Sequence, residues 1–393
     1  MTKAQAVLVQ NPDWREVVQK ATSQLASFGR IDLLFVFASA TYESAFPELI
    51  RALYNKSGAA ILMGCSGQSV IGQEYEIEQT PAVALLALAL PDAKLEPVHL
   101  TQADLHHTNA AKLPSLTGMS GLEVNAWLLL GDPFTLREPE RMLELFSEAY
   151  PGRPLIGGMA SGEFTNRQTS LFLNGEVLTE GLLALAIGGA YTLHPIVSQG
   201  ATPIGEPWMI TAVEGNIIRN ISGRPAYHLL MDTFKALPLN QRHQARRNLL
   251  VGLAMDEYKA EFKRGDFLIR NLLAIDPVSG AMAIADEPRI GQTIQFQLRD
   301  AEAADEDLHE ILSMERAKLG SVEPLAGLLF SCNGRGTGLF GAPDHDARVV
   351  AEELGPLPLA GFSCNGEIGP VGPKSFLHSL TASLGLFVPT PKF

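Results

Sequence analysis

One order of segments occurs three times along this chain, and nothing else in the sequence limits the fold as strongly. Its first copy begins at Leu33–Ser39 (LLFVFAS), an apolar run rich in β-formers. The amphipathic stretch 42–57 follows, with Phe46, Leu49, Ile50, Leu53 and Tyr54 at helical spacing. Next come a second apolar run, Ala59–Gly67 (AAILMGCSG), polar turn material, and a third run, Val83–Pro91 (VALLALALP). The order returns as Trp127–Thr135, the helical stretch 138–149, Pro154–Gly162 (PLIGGMASG) and Gly181–Gly189 (GLLALAIGG). It returns again as Gly327–Gly336 (GLLFSCNGRG), a helical stretch over 345–354, Pro358–Gly366 (PLAGFSCNG) and Ser379–Phe387.

Each copy reads strand–helix–strand–turn–strand. A helix between two strands makes a crossover, so the first two strands of a copy are expected to be parallel neighbours. The third, returning after a short turn, is expected to be antiparallel. Near-continuous apolar runs such as VALLALAL predict strands covered on both faces. The helices are too few to cover every face. The expected fold is therefore mixed α/β (α+β), with repeated β-α-β-β units forming two mixed sheets packed face to face and helices outside. Its 393 residues favour two domains, expected at 1–195 and 196–393, and the Pro-containing stretch 190–207 is read as the boundary.

Between the second and third copies lies a different pattern, 208–299. It reads as a hairpin about Glu214-Gly215-Asn216, a turn at Ser222-Gly223-Arg224, a helix over 225–237 and further strands at 249–255, 267–274, 282–285 and 294–298. A long helix is expected from 300 to 319, ending at Gly320, with Leu308, Ile311, Leu312 and Leu319 as its apolar stripe. The third repeat unit, 327–389, completes the C-terminal domain.

Composition excludes several classes of function. Hydrophobic residues at 46% and charged residues at 19% indicate a globular chain. A net charge of −13 disfavours nucleic acid and anionic membranes as partners. The densest basic group, Arg242, His243, Arg246 and Arg247, reads as a solvated helix face. The three cysteines, Cys65, Cys332 and Cys364, show no C-x-x-C spacing, so neither a disulfide framework nor a structural zinc site is expected. Their reduced state fits a cytoplasmic protein. No secretory leader is read at the start, and no apolar stretch reaches the roughly 20 residues of a membrane helix. His106-His107, with Asp104 nearby, is expected on an extended surface loop rather than at a metal. Asp132-Pro133 and Gly341–Asp346 (GAPDHD) read as turn and helix-cap residues. No P-loop, GxSxG, HExxH or EF-hand pattern occurs, and no cofactor is expected.

The candidate site lies where the second strands end. Aligning the closing glycines superposes Cys65-Ser66-Gly67, Ala160-Ser161-Gly162 and Cys364-Asn365-Gly366, and the pentapeptide FSCNG occurs twice, at Phe330–Gly334 and Phe362–Gly366. Small residues let backbone approach a ligand, and crevices beyond the carboxyl ends of parallel strands are common binding places. Two parallel strands each ending Ser-Cys-Asn-Gly are expected to converge on one crevice. The expected ligand residues are Ser331, Cys332, Asn333, Gly334, Arg335 and Gly336 from the first, and Ser363, Cys364, Asn365, Gly366 and Glu367 from the second. Arg335 is assigned a carboxylate and Glu367 an ammonium, which together suit an amino acid. Secondary candidates are Cys65, Ser66, Gly67, Ser161, Gly162 and His345. Two other readings stand beside this one: an enzyme using Cys332 or Cys364 as nucleophile, with His345 or His378 as base, and a protein-interaction scaffold without a small ligand.

AILMGCSGQSVIG and PLIGGMASGEF resemble the FIST N-terminal domain. TAVEGNIIRNISGRPAY, then FSCNGRGTGLFG, HDARVVAEELGPLPLAGFSCNGEIGPVG and LHSLTASLGLF, resemble the FIST C-terminal domain, and together these stretches cover nearly the whole chain. The resemblance implies an intracellular sensory module that binds small ligands such as amino acids and acts through a signalling partner. Relatives carry it fused to output domains, whereas no output domain is read here beyond the two FIST halves. It carries over no catalytic residue set.

Overall fold

A computed structural model describes residues 2–121, 123–162, 167–239, 242, 248–259 and 261–390. Contacts divide the chain into two compact units, 1–197 with 309–377 and 381–393, and 198–308 with 378–380.

The first unit contains all three repeats. The first runs β1 (Lys3–Gln10), α1 (Trp14–Leu25), β2 (Leu33–Ser39), α2 (Phe46–Ser57), β3 (Ile61–Gly67), the hairpin β4 (Ser69–Gly72) and β5 (Tyr75–Glu78), and β6 (Ala82–Ala89). The second runs β7 (Ala93–Leu100), α3 (Gln102–His107), α4 (Leu113–Thr117), β8 (Ala126–Gly131), α5 (Pro139–Ala149), β9 (Leu155–Met159), the hairpin β10 (Leu171–Leu173) and β11 (Glu176–Leu178), and β12 (Leu182–Gly189). The third opens with β13 (Tyr191–Ser198), after which the chain runs through the second unit.

That second unit is β14 (Ala201–Glu214), β15 (Ile217–Ile221), β16 (Arg224–Pro225), α6 (Ala226–Ala236), β17 (Leu249–Ala254), β18 (Phe267–Asp276), β19 (Ala281–Ile284) and β20 (Thr293–Arg299). Its strands lie in the order β14-β20-β17-β18-β19-β15-β16, and a further β14–β15 pairing closes the sheet on itself. Alternation fills the interior: Ile294, Phe296 and Leu298 of β20 join Val251, Leu253, Met282 and the α6 residues Leu229 and Leu230 in one core.

The third repeat resumes with α7 (Ala301–Leu319), β21 (Ala326–Cys332), α8 (Thr337–Phe340), α9 (His345–Leu354), β22 (Leu359–Cys364), the hairpin β23 (Glu367–Val371) and β24 (Lys374–His378), and β25 (Ala382–Pro389).

The crossovers are as expected. β2–β3, β8–β9 and β21–β22 are parallel, while β6, β12 and β25 return antiparallel to β2, β8 and β21. The class is mixed α/β, but among the described residues the sheets number four rather than two. Each repeat builds one sheet, and a neighbouring repeat completes it. Sheet orders are β1-β6-β2-β3-β10-β11, β24-β23-β9-β8-β12-β7 and β13-β25-β21-β22-β4-β5. Thus the second repeat's hairpin extends the first sheet, the third's extends the second, and the first's extends the third. The exchange is cyclic.

The inner faces of the three sheets share one core. Phe35, Phe37 and Met63 meet Leu128, Leu130 and Ile156 there, with Phe330, Phe362 and Phe387 from the third repeat. The Phe37 and Phe362 rings stack at 5.2 Å, and Phe330 meets Phe362 edge-on at 5.8 Å. Outer faces carry helices: α1 and α2 on the first sheet, α5 on the second. At the same place in each crossover a glycine faces a neighbouring carbonyl. A Cβ on Gly64, Gly157 or Gly361 would overlap the oxygen of Val36, Leu129 or Leu329, the residue paired with it in register. Three chemically different strands obey one steric rule.

Other expectations change. The stretch 190–207, read as the boundary, forms β13 and the start of β14, and the division between the units falls within it, after Val197. The expected division after residue 195 placed the third repeat with 208–299, whereas contacts group it with the first two. Distant pairing, which local composition does not encode, decides this. His106 and His107 lie at the end of the short helix α3, not on an extended loop, and Asp104 forms a capping box with Thr101. Of the basic group, only Arg242 lies among the described residues; its Nε donates to Leu237 O at 2.8 Å. His243, Arg246 and Arg247 lie outside them. Among the described residues no helix is long and apolar enough to cross a membrane, and no group of His, Cys, Asp or Glu is arranged to hold a metal.

Candidate functional site

Parallel register brings the two FSCNG copies side by side, with Ser331 opposite Ser363 and Cys332 opposite Cys364. Beyond the strands the corners are tied together. Asn333 N donates to Cys364 O at 3.0 Å, and Asn333 Nδ2 donates to Asn365 Oδ1 at 2.7 Å. Cys332, Asn333, Gly334, Ser363 and Asn365 are half-buried, so solvent reaches this edge of the sheet.

The other two corners meet it. Asn365 donates through its N to Met159 O and through Nδ2 to Ala160 O at 3.2 Å, and Met159 N donates to Gly366 O at 2.8 Å. Ser161 Oγ donates to Ser363 O and accepts from Gln68 N, while Ser66 Oγ donates to Ser161 O at 2.9 Å. The Ser69 and Ser363 hydroxyls lie 2.6 Å apart. Of the secondary candidates Ser66, Gly67, Ser161 and Gly162, all buried, Ser161 therefore joins the third repeat's corner and Ser66 joins Ser161. Their hydroxyls are spent on holding the three repeats together. Cys65 is buried in the shared core beside them.

Arg335 does not stand beside an open crevice. It is fully buried, and its Nε and Nη2 donate to both oxygens of Asp346 at 2.7 and 2.8 Å. Ser331 Oγ donates to the same carboxylate at 2.6 Å, and His345 Nδ1 lies 2.9 Å from it. His345 also stacks on Phe340, which in turn lies against the Arg335 guanidinium. Burial alone would raise the Asp346 carboxyl. The Arg335 charge, with bonds from His345, Arg335 and Ser331, instead holds it well below its ordinary value. Asp346 thus occupies the carboxylate-binding fork that sequence assigned to a ligand.

A second carboxyl closes this network from the first repeat. Glu76, on β5, accepts from Ala347 N at 2.9 Å, and its own N donates to Asp344 Oδ1 at 2.7 Å. Burial, then the Asp346 charge, pushes its pKa up to about 8. Nearby, Glu78 Oε1 accepts from Thr337 N and Oγ1 at 2.8 and 2.9 Å, beside Gly336. Sequence reading missed Glu76, Glu78 and Asp346. The polar pattern YEIE was the only local sign, and without the hairpin exchange it looks like an ordinary turn.

Glu367 is also fully buried, and burial pushes its carboxyl well above the ordinary range. Burial thus favours its uncharged form, whereas the sequence reading gave it the role of an anion. Its Oε2 accepts from Thr381 N at 3.1 Å, and the Cys332 thiol lies against the same carboxyl. Three buried polar atoms in this neighbourhood have no aligned hydrogen-bond partner: Asn333 Oδ1, Arg335 Nη1 and Glu367 Oε1. Each such atom costs about 1–3 kcal/mol when left unmade. A cavity of about 500 Å³ opens elsewhere in the same unit, lined among others by Gln5, Gln73, Tyr75, Val350 and Leu357, and by none of the corner residues.

Residues 32–224 match the FIST N domain and residues 227–370 the FIST C domain. A Mycobacterium tuberculosis protein is 37% identical over 374 residues, 95% of each chain, and a Mycobacterium bovis protein is 36% identical over 383 residues, 96% of each; both are described as uncharacterized. Among solved structures, cyanuric acid hydrolase from A. caulinodans aligns over 100% of both chains at 9% identity with a TM-score of 0.35. Both domain matches, covering nearly the whole chain, place this protein in the FIST family, whose domains are generally sensory and signal-transduction modules.

Proposed function

We propose that this protein is a sensory module whose small polar ligand binds at the paired corners of the third repeat, contacting Asn333, Arg335 and Glu367. The observation carrying the reading is the group of three orphaned polar atoms beside a solvent-reached strand edge. Buried polar groups are normally paired, and exceptions concentrate where a ligand or ion completes them. Arg335 Nη1 offers a donor, Asn333 Oδ1 an acceptor, and the Glu367 carboxyl an acceptor or, when protonated, a donor. A compact molecule with an acceptor and a donor a few bonds apart, such as an amino acid or a carboxamide, satisfies all three. The Arg335–Asp346 pair leaves one guanidinium edge for such a ligand, so it takes one hydrogen bond there rather than a bidentate clamp.

Use of Cys364 as a catalytic nucleophile is disfavoured, because it is completely buried and an outside substrate does not reach its sulfur. Sensing fits better: the corners that hold the ligand also tie the three repeats, so binding changes how firmly the repeats are held. A separate cytoplasmic signalling protein reads that change.

The test is a thermal-shift screen against amino acids, their amides and related metabolites. A ligand at 100 times its Kd stabilises by about 2.7 kcal/mol. Asn333→Ala, which loses the bond to Asn365 Oδ1, is expected to lower the unliganded melting temperature slightly and to lose the ligand-induced shift. The proposal fails if no compound raises the melting temperature, or if Asn333→Ala leaves the response intact.

A further inference from the structure

The chain has three cysteines in 393 residues, and the fold gathers them. Cys65 and Cys364 lie in the shared inner core, Cys65 two residues before the end of β3 and Cys364 at the end of β22. Cys332 ends β21, and its side chain continues the inward series of Leu328 and Phe330, two residues apart along the strand. The three thiols are close enough that Cys364 feels both others, along with Glu367.

Cys332 and Cys364 stand in register on adjacent parallel strands. In-register residues of a parallel pair present side chains to the same face, with Cα atoms about 4.8 Å apart. That lies within the Cα range of about 4.4–6.8 Å compatible with a disulfide. Glycine opens the space around them. A Cβ at Gly158 would overlap the Cys364 sulfur, so no side chain separates this thiol from the strand beside it.

The two thiols differ in the way an oxidisable pair requires. Cys332 is half-buried and reachable from solvent, while Cys364 is completely buried. Gly334 N donates to Cys332 Sγ at 3.4 Å, and the buried Arg335 cation attracts negative charge on that sulfur. Cys364 has no such support.

We propose that Cys332 and Cys364 form a peroxide-responsive thiol pair, in which Cys332 is oxidised first and Cys364 resolves it to a disulfide. In the first step the Cys332 sulfur attacks one peroxide oxygen and the O–O bond breaks. Sulfur gives up two electrons, the S–OH bond forms, and the other oxygen leaves as water or alcohol with the thiol proton. In the second step the Cys364 sulfur attacks the sulfenic sulfur and the S–S bond forms. The S–O bond breaks, and the hydroxyl leaves as water with the Cys364 proton. Cys65 remains a thiol.

This inference rests on the register and burial of the thiols, not on the ligand reading, and its test needs no ligand. The full chain is treated with stoichiometric hydrogen peroxide, alkylated under denaturing conditions, and examined by intact mass and peptide mapping. The expected product has lost two hydrogens, carries one alkylated cysteine, Cys65, and yields a Cys332–Cys364 cross-linked peptide removed by dithiothreitol. Cys364→Ser is expected to stop at a sulfenic acid on Cys332 that a dimedone-type probe captures, and Cys332→Ser to keep two free thiols. Cys65→Ser is expected to behave as the parent. The proposal is overturned if all three thiols stay alkylatable, if the cross-link involves Cys65, or if Cys332 proceeds to sulfinic acid with Cys364 still reduced.

Discussion

Glu76→Gln isolates the proton that the hairpin exchange traps. The carboxyl sits on β5 of the first repeat against the first turn of α9 in the third, and it is almost wholly buried. Its pKa is about 8 in the fold against 4.5 for an unperturbed carboxyl. A raised carboxyl pKa means the fold binds the proton more tightly than the unfolded chain. The stabilisation is therefore fully present below pH 4.5 and is lost as pH rises through 8. Each pH unit between those values is worth about 1.36 kcal/mol, so stability attributable to this group falls by roughly 3–4 kcal/mol from pH 5 to pH 8. Glutamine keeps the Oε1 acceptor for Ala347 N and carries no titrating proton. The variant should match the parent within about 1 kcal/mol at pH 5 and exceed it by roughly 3 kcal/mol at pH 8. The assay is urea unfolding at pH 5, 6, 7 and 8, followed by pulsed hydrogen exchange of peptides from β5 and α9, because a chain of two units need not unfold as one. Parallel pH profiles for parent and variant would refute the trapped proton.

Three further outcomes follow from the same network and core. Asp346→Asn keeps shape but strands the buried Arg335 cation, so it should destabilise the first unit by about 3–5 kcal/mol; a loss under 1 kcal/mol in urea unfolding would show the pair is not buried as described. Asp346 is held below its ordinary value, so its contribution is present above the unfolded-chain pKa of 3.8 and is lost as pH falls through the folded value; acid unfolding of Asp346→Asn should be correspondingly shallower. Gly361→Ala drives a Cβ into the Leu329 carbonyl and should cost about 1–3 kcal/mol or prevent folding, whereas Gly338→Ala, with open space around it, should be close to neutral by thermal melting.

Much of the architecture was legible because it is local. Runs such as VALLALAL and GLLALAIGG specify strands, the spacing of Phe46, Leu49, Ile50 and Leu53 specifies a helix, and a helix joining two strands forces them parallel. The paired FSCNG corners were legible for the same reason, since a crossover sets neighbouring strands in register. What the corners do was less legible. Arg335 and Glu367 look alike in sequence, each a charged residue following an FSCNG corner, yet one pairs with Asp346 and the other is a buried carboxyl whose pKa burial raises. That difference depends on α9 folding back over the turn.

By itself the sequence determined the strands, the helices and the three crossovers, because each follows from periodicity within one repeat. Only the tertiary structure decided that the hairpins pass cyclically between repeats, that Glu76 meets Asp346 across 270 residues of chain, and that all three cysteines share one place. Edge pairing between distant strands is made by backbone hydrogen bonds, which nearly any sequence can form. The choice of partner is fixed by the packing of three sheets on one core.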